Sequence, residues 1–169
     1  MSLNNEAIYF VRVQLLIDNH KIIKLIMEVT GKHIMLEHHN ILVPLDGSEN
    51  SHRALHAAQL LAKETPGSRL HLVYVATEYQ LKNQDEINRI TEIIGQRAKE
   101  TMEMGVEHVR FEILEGDARE VIAFTYPEEH DCDLIVIAAT GRGKLNRMLM
   151  GSVANYVLHY AKQDTILIR

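Results

Sequence analysis

The densest chemistry in the chain lies in Ala138-Ala139-Thr140-Gly141-Arg142-Gly143-Lys144-Leu145-Asn146-Arg147-Met148-Leu149-Met150-Gly151-Ser152, which joins an apolar run to a helical pattern. A helix N-terminus offers N–H groups without intrahelical partners and a partial positive charge, which suits phosphate. Glycines let the backbone approach such a group closely, and consecutive N–H groups can wrap an anion. Arg142, Lys144 and Arg147 add three positive charges to the loop. By this reading, bulk at Gly151 would take the phosphate's place. A second polar turn, Asp46-Gly47-Ser48, follows an earlier apolar run. Taken alone, Asp46 suits a cap before a helix. Its role therefore depends on what the fold places opposite it.

Other reactive residue types read as bland. His52 and His56 are spaced i, i+4, but no acidic residue completes a His-Glu-x-x-His pattern, so an exposed helix face is expected. His38 and His39 are adjacent and read as surface residues. Cys132 lies between Asp131 and Asp133, whose charges disfavour a thiolate, so it should be inert. A Gly-x-Ser-x-Gly elbow, a Gly-x-x-x-x-Gly-Lys-[Ser/Thr] loop and a Gly-x-Gly-x-x-Gly after the first strand are all absent.

The elements that must position these residues alternate from Asn40 onward. Strands are expected at Ile41 to Leu45, Leu70 to Val75, Val109 to Ile113, Leu134 to Ala138 and Thr165 to Ile168. Between them, Ala54, Leu55, Ala58, Leu61 and Ala62 share a helix face, capped by Ser48 or Ser51 and stopped by Pro66-Gly67. Glu78 to Gln84 reads as a polar connection to a helix from about Asp85, with Ile87, Ile90, Ile94 and Ala98 on one face and Gly105 at its end. Asp117 caps a helix through Val121, Ile122 and Thr125, which Pro127 should end or kink. Gly141 to Met150 reads as a loop, before a helix from Ser152 through Ala161. The third strand alternates apolar and charged residues, as near a sheet edge; the fourth has no polar residue and should be central. This βαβ alternation predicts an α/β fold: a doubly wound, five-stranded parallel sheet with helices on both faces. Ligands in such sheets bind beyond the carboxyl ends of the strands where the winding reverses, which points to the segments after strands one and four.

The first part of the chain, residues 1–39, stands outside that alternation and reads as an extension to a domain of residues 40–169. Val11 to Leu15 alternates like a strand, Asp18-Asn19 suits a turn, and Ile22, Ile23, Ile26 and Met27 fit a short helix ending at Gly31. The segment is expected to pack on the sheet edge or on a second chain.

Composition excludes several function classes. The 169 residues carry 18 Lys+Arg against 23 Asp+Glu, a net charge of −5, which argues against nucleic acid as the main partner. No apolar run reaches the roughly 18 residues of a membrane span, so no membrane partner is expected. One cysteine forms no internal disulfide and fits a reducing, cytoplasmic setting. The start MSLNNEAIYF lacks a secretory pattern.

Ile41-Leu42-Val43-Pro44-Leu45-Asp46-Gly47-Ser48, together with Asp133 to Ile137, Thr140-Gly141-Arg142-Gly143 and Gly151-Ser152, resembles the universal stress protein family over about residues 40–169. In its nucleotide-binding branch the loop reads Gly, two residues, Gly, nine residues, Gly and Ser or Thr; here Ala138 stands at the first glycine. The resemblance implies a Rossmann-like strand order 3-2-1-4-5 and an adenine-nucleotide site. Asp46 would contact the adenosine, Pro44 would line the pocket, and the Val75 backbone would meet the adenine edge. Gly141, Gly151, Ser152 and Val153, with Ala138 and Arg142 in the same loop, would hold ribose and phosphates. The ligand would be ATP or a related adenine nucleotide, with Mg or Mn held through its phosphates. Thr165 to Ile168 should lie at the sheet edge, and the resemblance also implies a stress-linked regulatory role and a homodimer through that strand, where Asp164 replaces a frequent proline. No general base is evident near the phosphates, so at most slow ATP hydrolysis is expected. The alternative is a nucleotide-free dimeric interaction module, kept open by Ala138.

Overall fold

The computed structural model describes residues 38–141 and 150–169, and before them the strand backbones β1 (Gln14–Ile17), β2 (Met27–Val29) and β3 (Lys32–Ile34). Five further strands follow: β4 (Asn40–Pro44), β5 (Arg69–Ala76), β6 (His108–Glu115), β7 (Leu134–Ala138) and β8 (Asp164–Ile168). The large sheet runs β1-β8-β7-β4-β5-β6, every pair parallel. Counted from β4, its five main strands take the expected order 3-2-1-4-5. Winding goes from β4 outward through β5 to β6, then returns to β7 on the other flank of β4. The reversal lies between β4 and β7.

Period-two alternation divides each strand between two cores. Ile41, Val43, Leu70, Leu72, Leu134 and Val136 face α1 (Glu49–Glu64), and Ile90, Ile94 and Ala98 of α3 (Gln84–Glu103) complete that side. Leu42, Val73, Ile135, Ile137 and Leu167 face the opposite layer, built around Ile122, Tyr126, Ala154, Val157 and Leu158. Each such side chain contributes about 1.5–3 kcal/mol on burial, so both faces are strongly specified. Local chemistry sets the helix ends. Ser48 accepts the Ser51 N–H at 3.2 Å at the start of α1, and Gly105 at φ +96° turns the chain after α3. β6 lies at the sheet edge, as its alternation suggested.

Four local readings are corrected. The polar stretch after β5 contains a helical turn, α2 (Glu78–Leu81), closed by reciprocal Thr77 and Gln80 hydrogen bonds; four residues are too few to show a period. Pro127 does not end its helix. α4 (Ala118–Glu120) passes into a π turn (Val121–Thr125), and α5 (Tyr126–Glu129) continues with Pro127 in its first turn, where its missing N–H costs little. Met27 is in a strand, not a helix: β2 pairs antiparallel with β3, Val29 opposite Lys32. Ile22, Ile23, Ile26 and Gly31 lie outside the described residues, as do Val11 to Val13, Asp18 and Asn19. Finally, β8 is not the edge of the sheet. β1 pairs with it in parallel, Gln14 opposite Thr165 through Ile17 opposite Ile168, so part of the amino-terminal segment does lie along the sheet edge. The family pattern gave no sign of this strand, because it precedes the region that carries the resemblance.

Candidate functional site

The winding reversal leaves a cleft of about 250 Å³ at the carboxyl ends of β4, β5 and β7, just under the roughly 300–1,000 Å³ usual for small-molecule sites. Pro44, Asp46, Val75, Ala138, Gly141, Gly151, Ser152 and Val153 all line it. Eight of the nine residues singled out from the sequence thus converge on one pocket; the ninth, Arg142, lies outside the described residues with Lys144 and Arg147. Ala118 and Ile122 close one wall. Ile122 sits in the π turn, and such turns recur at functional sites.

Among the described residues, Asp46 is the only titratable one lining the cleft. Its Oδ1 accepts the Ser48 N–H at 2.9 Å, which fixes the turn into α1. Its Oδ2 lies so close to Gly141 that a Cβ there would collide with it. A side chain at Gly141 would therefore require the end of the Asp46 side chain to shift. Gly151 has ordinary extended dihedrals, φ −66° and ψ 150°, and donates its N–H to Ala139 O at 2.7 Å. A Cβ on Gly151 would stand 3.3 Å from Ala139 O and 3.8 Å from the Gly141 nitrogen. A side chain at Gly151 would thus press on the loop after β7, which must give by a few tenths of an ångström to admit a Cβ.

Gly151 caps α6 (Ser152–Tyr160) without a side-chain bond, and the first intrahelical bond runs from Asn155 N to Gly151 O. The N–H groups of Ser152, Val153 and Ala154 therefore have no acceptor within the helix. All three residues line the cleft. Hydrogen-bond donors and positive helix-end potential face a pocket whose other walls are largely apolar. Ala138 is buried at its floor, in register with Ile168, and the Ala139 N–H continues that row to Ile168 O at 2.7 Å.

Sequence reasoning missed Asn50 and Thr140 as members of this site. Asn50 Nδ2 donates to Thr140 Oγ1 at 2.6 Å and Thr140 O at 3.1 Å, tying the start of α1 to the loop after β7. An Asn in a helical first turn carries no distinguishing pattern. It missed a second polar group as well. His71 is 2% exposed in mid-β5, and its Nδ1 lies 3.1 Å from the Tyr126 hydroxyl. That hydroxyl donates to Glu112 Oε1 at 2.6 Å, so Nδ1 must carry the proton it gives to Tyr126. His71 Nε2 is left buried without a partner. Burial, then His130, Arg69 and Arg110, push the His71 pKa down to about 4. A histidine in phase with Val73 on an otherwise apolar strand was the available signal.

The remaining groups divide. Cys132 is buried, and burial ahead of Asp133 and Asp131 pushes its thiol up to about 12, so its inertness has a stronger cause than the neighbouring charges alone. His56 is exposed as expected, but His52 is half-buried, and burial followed by Arg97 lowers its pKa. Among the described residues no group of three His, Cys, Asp or Glu could hold a metal. His38 is not a bland surface residue: its ring lies 3.7 Å from Asp133 and 3.6 Å from Asp164, joining the starts of β7 and β8. Burial opposes ionisation of Asp133, but bonds from His38 and from the His39 and Asn40 N–H groups hold its pKa below the ordinary value. No helix among the described residues is long and apolar enough to cross a membrane.

A doubly wound parallel sheet with one cleft at its reversal, opened onto by a helix N-terminus, defines a Rossmann-like α/β domain. The pattern that defines the universal stress protein family matches residues 37–169. The universal stress protein MJ0531 of Methanocaldococcus jannaschii is 31% identical over 140 residues, covering 76% of this chain and 81% of that protein. Universal stress protein UspA of Lactobacillus plantarum shares the fold at TM-score 0.64 and 26% identity, covering 79% of this chain and 99% of that one. The universal stress protein of Archaeoglobus fulgidus in complex with dAMP does so at TM-score 0.63 and 22% identity, covering 78% and 98%. The chain belongs to the universal stress protein family.

Proposed function

We propose that the cleft between β4 and β7 binds an adenine nucleotide, ATP or a close relative, and that its occupancy is read out as a regulatory state under stress. The observation that carries this reading is convergence: Asp46 from one strand end and the Gly141 and Gly151-Ser152-Val153 backbone from another line one pocket with α6 opening into it. The family member solved with dAMP supports the ligand class. Asp46 would accept from a nucleoside hydroxyl or amine, with Pro44 and Val75 as apolar walls. The N–H groups at the start of α6 would meet the phosphates, and Mg or Mn would be held through those phosphates, since the described residues supply no metal cluster of their own. Asp46 is engaged with the turn at Ser48 and is the one titratable group in the cleft among the described residues. Nucleotide retention rather than rapid hydrolysis follows.

The nucleotide-free reading rests on Ala138, whose methyl replaces a hydrogen at the cleft floor. Native mass spectrometry of the purified chain for retained nucleotide, with calorimetric titration of Mg-ATP, separates the two. The absence of both retained nucleotide and binding at millimolar ATP would overturn the proposal. Association of two copies through β8 is part of it, with one condition set by the sheet: β1 must first leave that edge.

A further inference from the structure

Asn50 and Thr140 form a polar unit that joins the start of α1 to the loop after β7. The orientation of the Asn50 amide is set from both sides. Its Oδ1 accepts from the Arg53 guanidinium, which can only donate, and its Nδ2 faces the Thr140 carbonyl, which can only accept. The Thr140 hydroxyl, 2.6 Å from the same Nδ2, is therefore an acceptor in that bond. A hydroxyl has one proton to give, and accepting from Asn50 leaves that proton for another partner. Thr140 lines the cleft, and its Cα would lie 3.7 Å from a Cβ on Gly151, beside the start of α6. A ligand oxygen bound at that helix start would be an acceptor for it.

We infer that Thr140 is a phosphate-selecting residue of the nucleotide site, its hydroxyl oriented by Asn50 to donate to a ligand phosphate oxygen. This rests on the nucleotide reading above and adds to it a discrimination between adenine nucleotides and the bare nucleoside. Asn50 acts through Thr140 and is a positioning residue. A hydroxyl there supplies a neutral donor beside Asp46, the only titratable residue that lines the cleft among the described residues.

The test titrates adenosine, AMP and Mg-ATP into the full chain and into Thr140→Val, Thr140→Ser, Asn50→Ala and the Thr140→Val/Asn50→Ala double variant. Thr140→Val keeps the shape and removes the hydroxyl. It should weaken AMP and ATP by about tenfold or more, the loss expected for a hydrogen bond to a charged group, and leave adenosine within twofold. Thr140→Ser should restore the parent affinities, which a purely structural role would not require. Asn50→Ala should reproduce the loss, and the double variant should be no worse than Thr140→Val. Thr140→Ala stands in for Thr140→Val if the latter does not fold. Equal losses for adenosine and AMP, unchanged AMP binding in Thr140→Val, or additive losses in the double variant would each overturn the inference while leaving the nucleotide site intact. Absence of binding in the parent would overturn the nucleotide reading itself, and this inference with it.

Discussion

The buried histidine of β5 should make the fold acid-sensitive in a defined window. Unfolded, His71 takes its ordinary pKa of 6.5; folded, burial holds it near 4. Between those values the unfolded chain binds the extra proton, so stability rises with pH across the window and falls as pH drops from 6.5 towards 4. At 1.36 kcal/mol per pH unit the full difference is about 3 kcal/mol, and the portion lost between pH 7.5 and pH 5 is about 2 kcal/mol. The groups facing His71 are His130, Arg69 and Arg110, which oppose its charging, and Glu112, which favours it. Glu112 does not cancel the effect, because its carboxylate already takes the Tyr126 hydroxyl and Arg110, 2.6 Å from each. Although burial opposes it, those bonds hold the Glu112 pKa below the ordinary value, so its own contribution is lost only at lower pH.

The perturbation is His71→Phe, which keeps a planar ring and removes both the titration and the unpartnered Nε2; His71→Leu serves as a smaller control. Urea unfolding at pH 7.5 and pH 5 gives the stability of each protein. The parent should lose about 2 kcal/mol more than His71→Phe over that interval. Subtraction between two pH values cancels any packing cost of the ring, since that cost is the same at both. Parallel pH dependences in the parent and both variants would refute the assignment of a neutral, buried His71.

Further outcomes follow from the cleft and the sheet edge. Gly141→Ala places a methyl against the end of the Asp46 side chain, which must shift, and should weaken Mg-ATP binding by calorimetry while still unfolding cooperatively. Asp46→Ala should cost about 1–3 kcal/mol of nucleotide affinity if a charged hydrogen bond to the nucleoside is removed, and Ala138→Gly should leave affinity unchanged or raise it in the same titration. Cys132 should resist alkylation by iodoacetamide at pH 8 in the folded chain and react once urea exposes it, because burial holds its thiol near 12. Prolines at Leu15 and Leu16 remove two N–H groups from β1 and should free the β8 edge. Light scattering should then move from the 19.3 kDa of one chain towards twice that mass, and a parent already dimeric or a variant still monomeric would count against β1 as the cover.

What was legible in the sequence is what period and composition encode. β4, β5, β7 and β8 were readable because each is a short apolar run, and β6 because its alternation marks an edge. α1, α3 and α6 were readable because their buried residues recur at helical spacing. Elements held by one local bond set were not: α2 rests on the Thr77–Gln80 exchange, and the π turn on a register shift ahead of Pro127, neither of which leaves a repeat. The site divides in the same way. Backbone-driven positions such as Gly141 and Gly151 announce themselves as glycines between a strand and a helix. The contact of Asp46 with Gly141, and the bonds of Asn50 to Thr140, join segments far apart in the chain and exist only once β4 and β7 are neighbours.

The strand that was hardest to read changes the meaning of the part that was easiest. β8 is buried from Thr165 to Ile168, with Ile166, Leu167 and Ile168 apolar, which on sequence grounds makes it an exposed edge in need of a partner. The chain supplies that partner itself, in register, and Ile17 lies opposite Ile168. Ile168 in turn lies opposite Ala138, and its carbonyl takes the Ala139 N–H at 2.7 Å. One hydrogen-bonded row thus runs from β1 through β8 to the cleft floor. With neighbouring strands about 4.8 Å apart, the covering strand stands roughly 10 Å from Ala138. The residue at which this chain departs from the nucleotide-binding pattern is therefore the one its additional strand reaches through a single intervening strand. Because the Ala139 carbonyl also holds Gly151 at 2.7 Å, the sheet edge and the start of α6 share one short stretch of backbone.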